Sequence, residues 1–429
     1  MISLLSFFLL LSHLPSFSPF IVHSNPCRLD GSSPSLSSCS CLPDDDSIVI
    51  YCNGARLGSL PSLPTNTPIT LKLQRENLRS LPPDSLGTSD VISLDLSLNS
   101  LRSISANAFR GLEDSLRTLR LSSNNLTELP TWSLALLTQL ETLDVSSNRI
   151  RIIRNEAFDE TTLTSLRFLH LDQNEIEIIP TQSLRRLRCL VLSLSSNRIV
   201  SLEKLSLPST LTIIDLTDNL LSEIPYLSLA EQPDLREINL EGNRIFKTDF
   251  NPEIMISNEL KLILRNNRIS YLNEDSFRSF RKFTTLDLSY NEITSVSPHI
   301  FSTVSSVKEL NLSHNRMTSL GRGTFQNIGK ALLSLNLGWN EMHTVPEALT
   351  DLRVLQILKL DGNKMIKLDV SPLSALKDSL VELSVSYNHL SSIPNDILQS
   401  MSSLKILDLS KNRIETVTAN WRIGNLQKV

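Results

Sequence analysis

The chain has 429 residues, a formal net charge of −4, 40% hydrophobic residues and 20% charged residues. A charge so close to neutral leaves no basic footprint of the kind that holds nucleic acid. The apolar share is ample for a core, and with only 12 glycines no glycine-rich linker divides the chain. Residues 1–24 carry no Asp, Glu, Lys or Arg, and Ile2 to Leu11 form an apolar run. That run has the length of a signal-peptide h-region. It is shorter than the ~20 residues a membrane-crossing helix needs, and His13, Pro15 and Pro19 break up the stretch beyond it. Val22 and Ser24 stand at −3 and −1 of a cleavage point before Asn25. The reading is a secretory signal peptide over 1–24, without the usual Lys or Arg ahead of the apolar run.

A cysteine-rich segment over 25–66 comes next. It holds Cys27, Cys39, Cys41 and Cys52, four of the five cysteines. An even, clustered set behind a secretory signal predicts disulfides, and C-x-C is not the usual zinc loop. Four cysteines allow three pairings. Asp44, Asp45 and Asp46 read as a solvated tip of this segment, because a calcium site needs more oxygen ligands at defined spacing.

From residue 67 to 429 one frame recurs. Asn99, Asn124, Asn148, Asn174, Asn197, Asn219, Asn243, Asn267, Asn291, Asn315, Asn340, Asn363, Asn388 and Asn412 are separated by 22 to 26 residues, and Glu76 holds the equivalent place one step earlier. Around each runs L-x-x-L-x-L-x-x-N-x-L, as in Leu116, Leu119, Leu121, Asn124 and Leu126. This is the leucine-rich-repeat signature in about 15 copies. The apolar–polar alternation is that of a strand. One such strand cannot bury its apolar face alone, whereas stacked copies share a continuous core. The asparagine falls where the chain turns inward. Its amide both donates and accepts, so a column of asparagines, buried from Asn99 through Asn412, is expected to satisfy backbone groups from coil to coil.

Two further columns occupy the far side. Ten residues after the asparagine stand Phe109, Phe158, Phe277, Phe301 and Phe325, with leucines at 86, 134, 184, 229, 373 and 398. Six residues after it stand Pro82, Pro130, Pro180, Pro225, Pro346 and Pro394. Proline fixes φ and lacks a donor, which predicts short 3₁₀ or extended convex pieces rather than helices. The fold class expected is a leucine-rich-repeat solenoid of the horseshoe class, mostly β, with a disulfide-bonded N-terminal cap. Cys189 takes a leucine position and reads as a small buried hydrophobe.

No nucleophile elbow, H-E-x-x-H or phosphate loop is present. The histidines at 170, 299, 314, 343 and 389 lie in separate repeats without ligand spacing. No enzyme, cofactor or metal is expected, and Arg185, Arg186 and Arg188 read as exposed surface. N-x-[ST] acceptors occur at Asn125 and Asn311. Alternation places Asn311 on the exposed concave face. The position before the column asparagine carries Tyr290, His314 and Trp339 in successive repeats, then Gly362 and Tyr387. Parallel strands stack ~4.8 Å apart, which makes these side chains a contiguous row. Tyr290, His314, Trp339 and Tyr387 are the candidate protein-binding residues.

The stretch S-C-S-C-L-P…V-I-Y-C-N-G-A-R-L-G-S-L-P together with the repeats resembles the extracellular leucine-rich-repeat proteins with a cysteine-capped N-terminus. That resemblance implies a short hairpin closing the first coil, with bridges Cys27–Cys41 and Cys39–Cys52. Within the group, the uninterrupted run looks most like chaoptin and its invertebrate relatives, which implies adhesion or matrix organisation. The partners expected are cell-surface or matrix proteins, a second copy of this chain included, and no nucleic acid. A signalling-receptor ectodomain and a self-associating matrix component are the alternatives. Leu426 and Val429 fall where a sixteenth repeat would begin. Either the chain is a fragment, or it is a secreted protein ending without a second cap. Membrane attachment is not encoded in these residues.

Overall fold

A computed structural model describes residues 39–44, 46–52, 63, 67–87, 89–155, 157–158, 163–248, 255–394, 399–415 and 426–427. The predicted signal peptide and Cys27 lie outside them. An antiparallel hairpin of β1 (Ser40–Asp44) and β2 (Ser47–Tyr51) opens the described chain, and β2 pairs in parallel with β3 (Ile69–Lys72), the first repeat strand. From there each repeat adds one parallel strand, giving a 17-stranded sheet that includes the hairpin. Most repeat strands are three residues long, such as Thr118–Arg120 and Thr142–Asp144. The two longest, Ile256–Ile263 and Phe280–Asp287, have eight residues each.

The frame leucines explain the stacking. Leu119, Leu143, Leu169, Leu192 and Ile214 stand in register on successive strands, all fully buried. Each such side chain contributes roughly 1.5–3 kcal/mol on leaving water. The phenylalanine column is buried behind them, and Phe277, Phe301 and Phe325 form consecutive ring contacts at 6.2 and 6.5 Å.

The asparagine column is a hydrogen-bonded ladder. Asn219 Nδ2 donates to Leu194 O of the preceding coil at 3.0 Å and to Leu216 O of its own at 3.1 Å, while its Oδ1 accepts from Ile199 N–H at 2.9 Å. The same three bonds recur from Asn99 to Asn412. Asn99 to Asn388 are buried, but Asn412 is only half-buried, contrary to the expectation of burial throughout. No described strand stacks beyond its own, Ile406–Asp408.

The convex side is short pieces, with one correction. Among the described residues three coils carry a complete single α-turn: α1 (Thr131–Leu134), α2 (Tyr226–Leu229) and α3 (Val370–Ser374). Pro130 and Pro225 sit at the N-caps of the first two, where a missing N–H costs nothing. Proline there starts a turn rather than preventing one. Pro346 precedes a 3₁₀ turn, Glu347–Asp351. Elsewhere two-residue strands pair, as Ser80–Leu81 does with Ser103–Ile104. Cys39 is bonded to Cys52, and Cys41 is also disulfide-bonded. Cys189 is free and buried, with burial pushing its thiol up to about 12.

Candidate functional site: an aromatic row at the strand ends

The residue before each column asparagine adopts a left-handed backbone. The φ values are 55° at Tyr290, 54° at His314, 56° at Trp339, 63° at Gly362 and 52° at Tyr387, and the pattern begins at Leu98 with 57°. Bulky side chains rarely occupy this region. Here the asparagine ladder imposes it, because the amide grips the backbone on both sides of the turn. A left-handed residue leaves the strand alternation, so the row stands on the turn at the strand ends instead of on the sheet face itself.

The rings pack against one another along the solenoid. Tyr290 stacks on His314 with centroids 3.9 Å apart and planes 16° apart, and His314 stacks on Trp339 at 5.6 Å and 7°. Trp339 then reaches Tyr387, two coils on, at 5.6 Å. Gly362 occupies the intervening coil and makes this possible. A Cβ at Gly362 would lie 2.5 Å from the Trp339 ring. At the other end the Arg265 guanidinium lies 4.0 Å from the Tyr290 ring centroid and is held by Glu241 at 3.0 Å. Burial, and then the Arg265 charge, lower the His314 pKa, which favours the neutral imidazole. Tyr290, Trp339 and Tyr387 remain 41, 47 and 51% exposed. The row is therefore an apolar, preorganised ledge with one cation at its end.

The sequence reading missed Arg265 and the spacer role of Gly362. The signals were there: Arg265 is two residues before Asn267, and Gly362 interrupts the aromatic column.

It also missed a second column lining the sheet face. Asp95, Asp144, Asp215, Asn239, Asp287, Asn311, Asn336 and Asp408 each accept a hydrogen bond from the backbone N–H two residues on, at 2.9–3.1 Å. Where the position is Ser193 or Ser384, the preceding coil supplies the carboxylate: Asp172 accepts from Ser195 N–H and Asp361 from Ser386 N–H. This column bears on Asn311. Its Oδ1 accepts from Ser313 N–H and Oγ, and its Nδ2 donates to Asp287 at 3.2 Å, leaving it only partly exposed. Asn125 has no such side-chain ties and is half-exposed on the coil flank. Asp44 and Asp46 are exposed at the hairpin tip, and Arg185, Arg186 and Arg188 are exposed. Among the described residues no group of three or more His, Cys, Asp or Glu could hold a metal ion, and no helix is long and apolar enough to cross a membrane.

The leucine rich repeat family pattern matches residues 70–126, 114–176, 138–199, 260–317, 305–365 and 378–428, which is most of the chain. The chain belongs to the leucine-rich-repeat family. Among proteins it is similar to podocan-like protein 1 of Mus musculus, with 29% identity over 352 residues, covering 80% of this chain and 57% of that protein. It is also similar to osteomodulin of Bos taurus, with 27% identity over 286 residues, covering 65% of this chain and 63% of that protein. The match thus spans little more than half of each relative. A chain of the Toll–Spatzle complex of Drosophila superposes with a TM-score of 0.63 at 20% identity, covering 88% of this chain and 62% of that one. That likeness concerns the fold.

Proposed function

We propose that this leucine-rich-repeat protein is an extracellular protein-binding solenoid. It acts in cell adhesion or matrix organisation, and it engages its partner through the ledge of Tyr290, His314, Trp339 and Tyr387. The observation that carries the reading is the preorganised row itself. Three exposed aromatic anchors are locked by stacking, so little side-chain entropy remains to be lost on binding. Tyrosine and tryptophan are the residues that dominate interface energetics. The Cys39–Cys52 bridge suits an oxidising, extracellular compartment. Similarity to podocan-like protein 1 and osteomodulin supports the matrix setting, and the resemblance to chaoptin supports the adhesive one. Secretion through a signal peptide over 1–24, a cap over 25–66 and glycosylation at Asn125 belong to the same proposal.

The test compares the full chain with Trp339→Ala and Tyr387→Ala variants, immobilised against solubilised extracellular matrix. Phe246→Ala and Tyr271→Ala serve as controls, since both residues are about half exposed away from the row. The reading expects proteins retained by the parent chain to be lost with the row variants and kept with the controls. Retention unchanged by the row variants would remove the ledge from the function.

A further inference from the structure

A second surface lies away from the aromatic ledge, on the flank of three successive coils. A cleft of about 690 Å³ is formed by residues 102–104, 126–133, 135, 151–152, 154–155 and 157, and a smaller one of about 450 Å³ adjoins it, sharing Arg102 and Thr127. Among the described residues four arginines line the pair, Arg102, Arg149, Arg151 and Arg154, with one carboxylate, that of Glu128. Arg154 is bonded to Glu128 at 2.7 Å, and Arg151 to Glu175 at 2.9 Å. Arg102 and Arg149 have no carboxylate partner among the described residues. The chain as a whole carries −4, so this flank reverses the overall sign.

The cleft also carries large exposed apolar side chains. Pro130 opens the single turn α1, which buries Ser133 and Leu134 and thereby turns Trp132 outward. Trp132 is 64% exposed and Ile152, one coil on, is 69% exposed. Isolated exposed apolar residues need no explanation, but these two line one cleft with Arg102, and Arg149 lines the smaller cleft that adjoins it.

We infer that this cleft docks a short acidic peptide segment carrying an apolar anchor, the carboxylates meeting Arg102 and Arg149 and the anchor covering Trp132 and Ile152. Guanidinium groups recognise carboxylates through paired N–H donors. The cleft crosses three coils, a span of roughly 10–15 Å at ~4.8 Å per strand, enough for about four extended residues. A sulfated polysaccharide would meet the same charge. It would leave Trp132 and Ile152 uncovered, however, and two of the four arginines are already neutralised by Glu128 and Glu175. Asn125 and Thr127 of the glycosylation triplet line the smaller cleft, so a glycan there would crowd the mouth.

The test uses the full chain bearing Asn125→Gln, which keeps the mouth free of sugar. The probe is a fluorescein-labelled peptide of aspartates and glutamates around a Phe–Leu pair, followed by fluorescence anisotropy. A matched peptide with glycines in place of that pair and a heparin fragment are run beside it. Saturable peptide binding is expected, weakening about tenfold with Arg102→Glu or Arg149→Glu, the worth of one charge-assisted contact. Trp132→Ala should weaken the Phe–Leu peptide and leave the glycine peptide unchanged. All three residues are exposed, so unchanged thermal unfolding verifies the fold of each variant. The proposal fails if no saturable binding occurs or if the arginine reversals leave binding intact. It fails also if heparin binds at least as tightly and is indifferent to Trp132→Ala, which would make this a sulfated-glycan site.

Discussion

At the residue scale the asparagine ladder carries the largest single-residue consequences. Each interior amide satisfies one N–H of the preceding coil and two carbonyls, all in places water does not reach. Asn219, at 3% exposure, leaves three such groups behind when truncated. Asn219→Ala is expected to cost about 3 kcal/mol, since each buried unsatisfied group costs roughly 1–3 kcal/mol. The half-buried Asn412→Ala should cost less than about 1 kcal/mol, because water can replace the amide. Urea unfolding of the two variants tests the contrast. The inner column behaves differently. Burial raises the Asp215 pKa, and the Asp172 and Asp218 charges push the same way, against hydrogen bonds from Thr217. Folding therefore penalises the ionised form, and the penalty is present at pH values above the raised pKa. Asp215→Asn keeps an acceptor for Thr217 N–H, as Asn239, Asn311 and Asn336 do in their own coils. Its stability should exceed that of the parent at neutral pH, and the advantage should shrink as pH falls through the Asp215 pKa. Asp172 has the opposite sign: burial acts to raise its pKa, but hydrogen bonds from His170, Ser193 and Ser195 outweigh it and hold the carboxyl low. Its stabilising contribution is full above the ordinary carboxylate pKa and fades in more acidic solution.

At the scale of the element, the coil edge is decided by the turn after each strand. That turn needs a left-handed residue, and it takes Tyr290, His314 or Trp339 as readily as glycine because the ladder over-determines the backbone. Gly362 is the exception that matters. Its φ of 63° and its contact with the Trp339 ring both disfavour a side chain. Gly362→Ala should lower stability by about 1 kcal/mol or more and displace the indole from Tyr387. A shift in tryptophan emission and near-UV circular dichroism would report that displacement. An unchanged spectrum would mean that Trp339 does not depend on the gap.

For the whole molecule the controlling fact is that each coil packs chiefly on its two immediate neighbours, with a few side chains such as Trp339 reaching one coil further. Stability in such an array is a sum of nearest-neighbour terms. The hairpin bridged by Cys39 and Cys52 covers the first repeat through the pairing of β2 with β3. Its reduction should accelerate amide exchange in the strands Ile69–Lys72 and Val91–Asp95 and leave Ile357–Lys359 and Glu382–Ser384 protected. Uniform acceleration along the array would show longer-range cooperativity than the architecture implies.

The period of the asparagines and the alternation of the leucines were enough to establish the solenoid, the parallel register and the buried ladder. The reason is physical: a repeat cannot hide its apolar face except against its own copy, so local pattern and global packing coincide. The far column was equally legible, with Phe109 to Phe325 all in the core. Other features could not be read along the chain, because they arise between coils. Asp172 serving Ser195 of the next coil, Arg265 capping Tyr290, and Gly362 clearing space for Trp339 each join residues about one repeat apart, where a side chain's length and tilt decide the contact. The arginine-rimmed cleft likewise exists only after three coils stack. Arg149 stands in a recurrent Asn-Arg pair shared with Arg198, Arg244, Arg268, Arg316 and Arg413, so nothing along the chain singles it out, and Trp132 joins Arg102 and Arg149 only because a single α-turn rotates it into solvent.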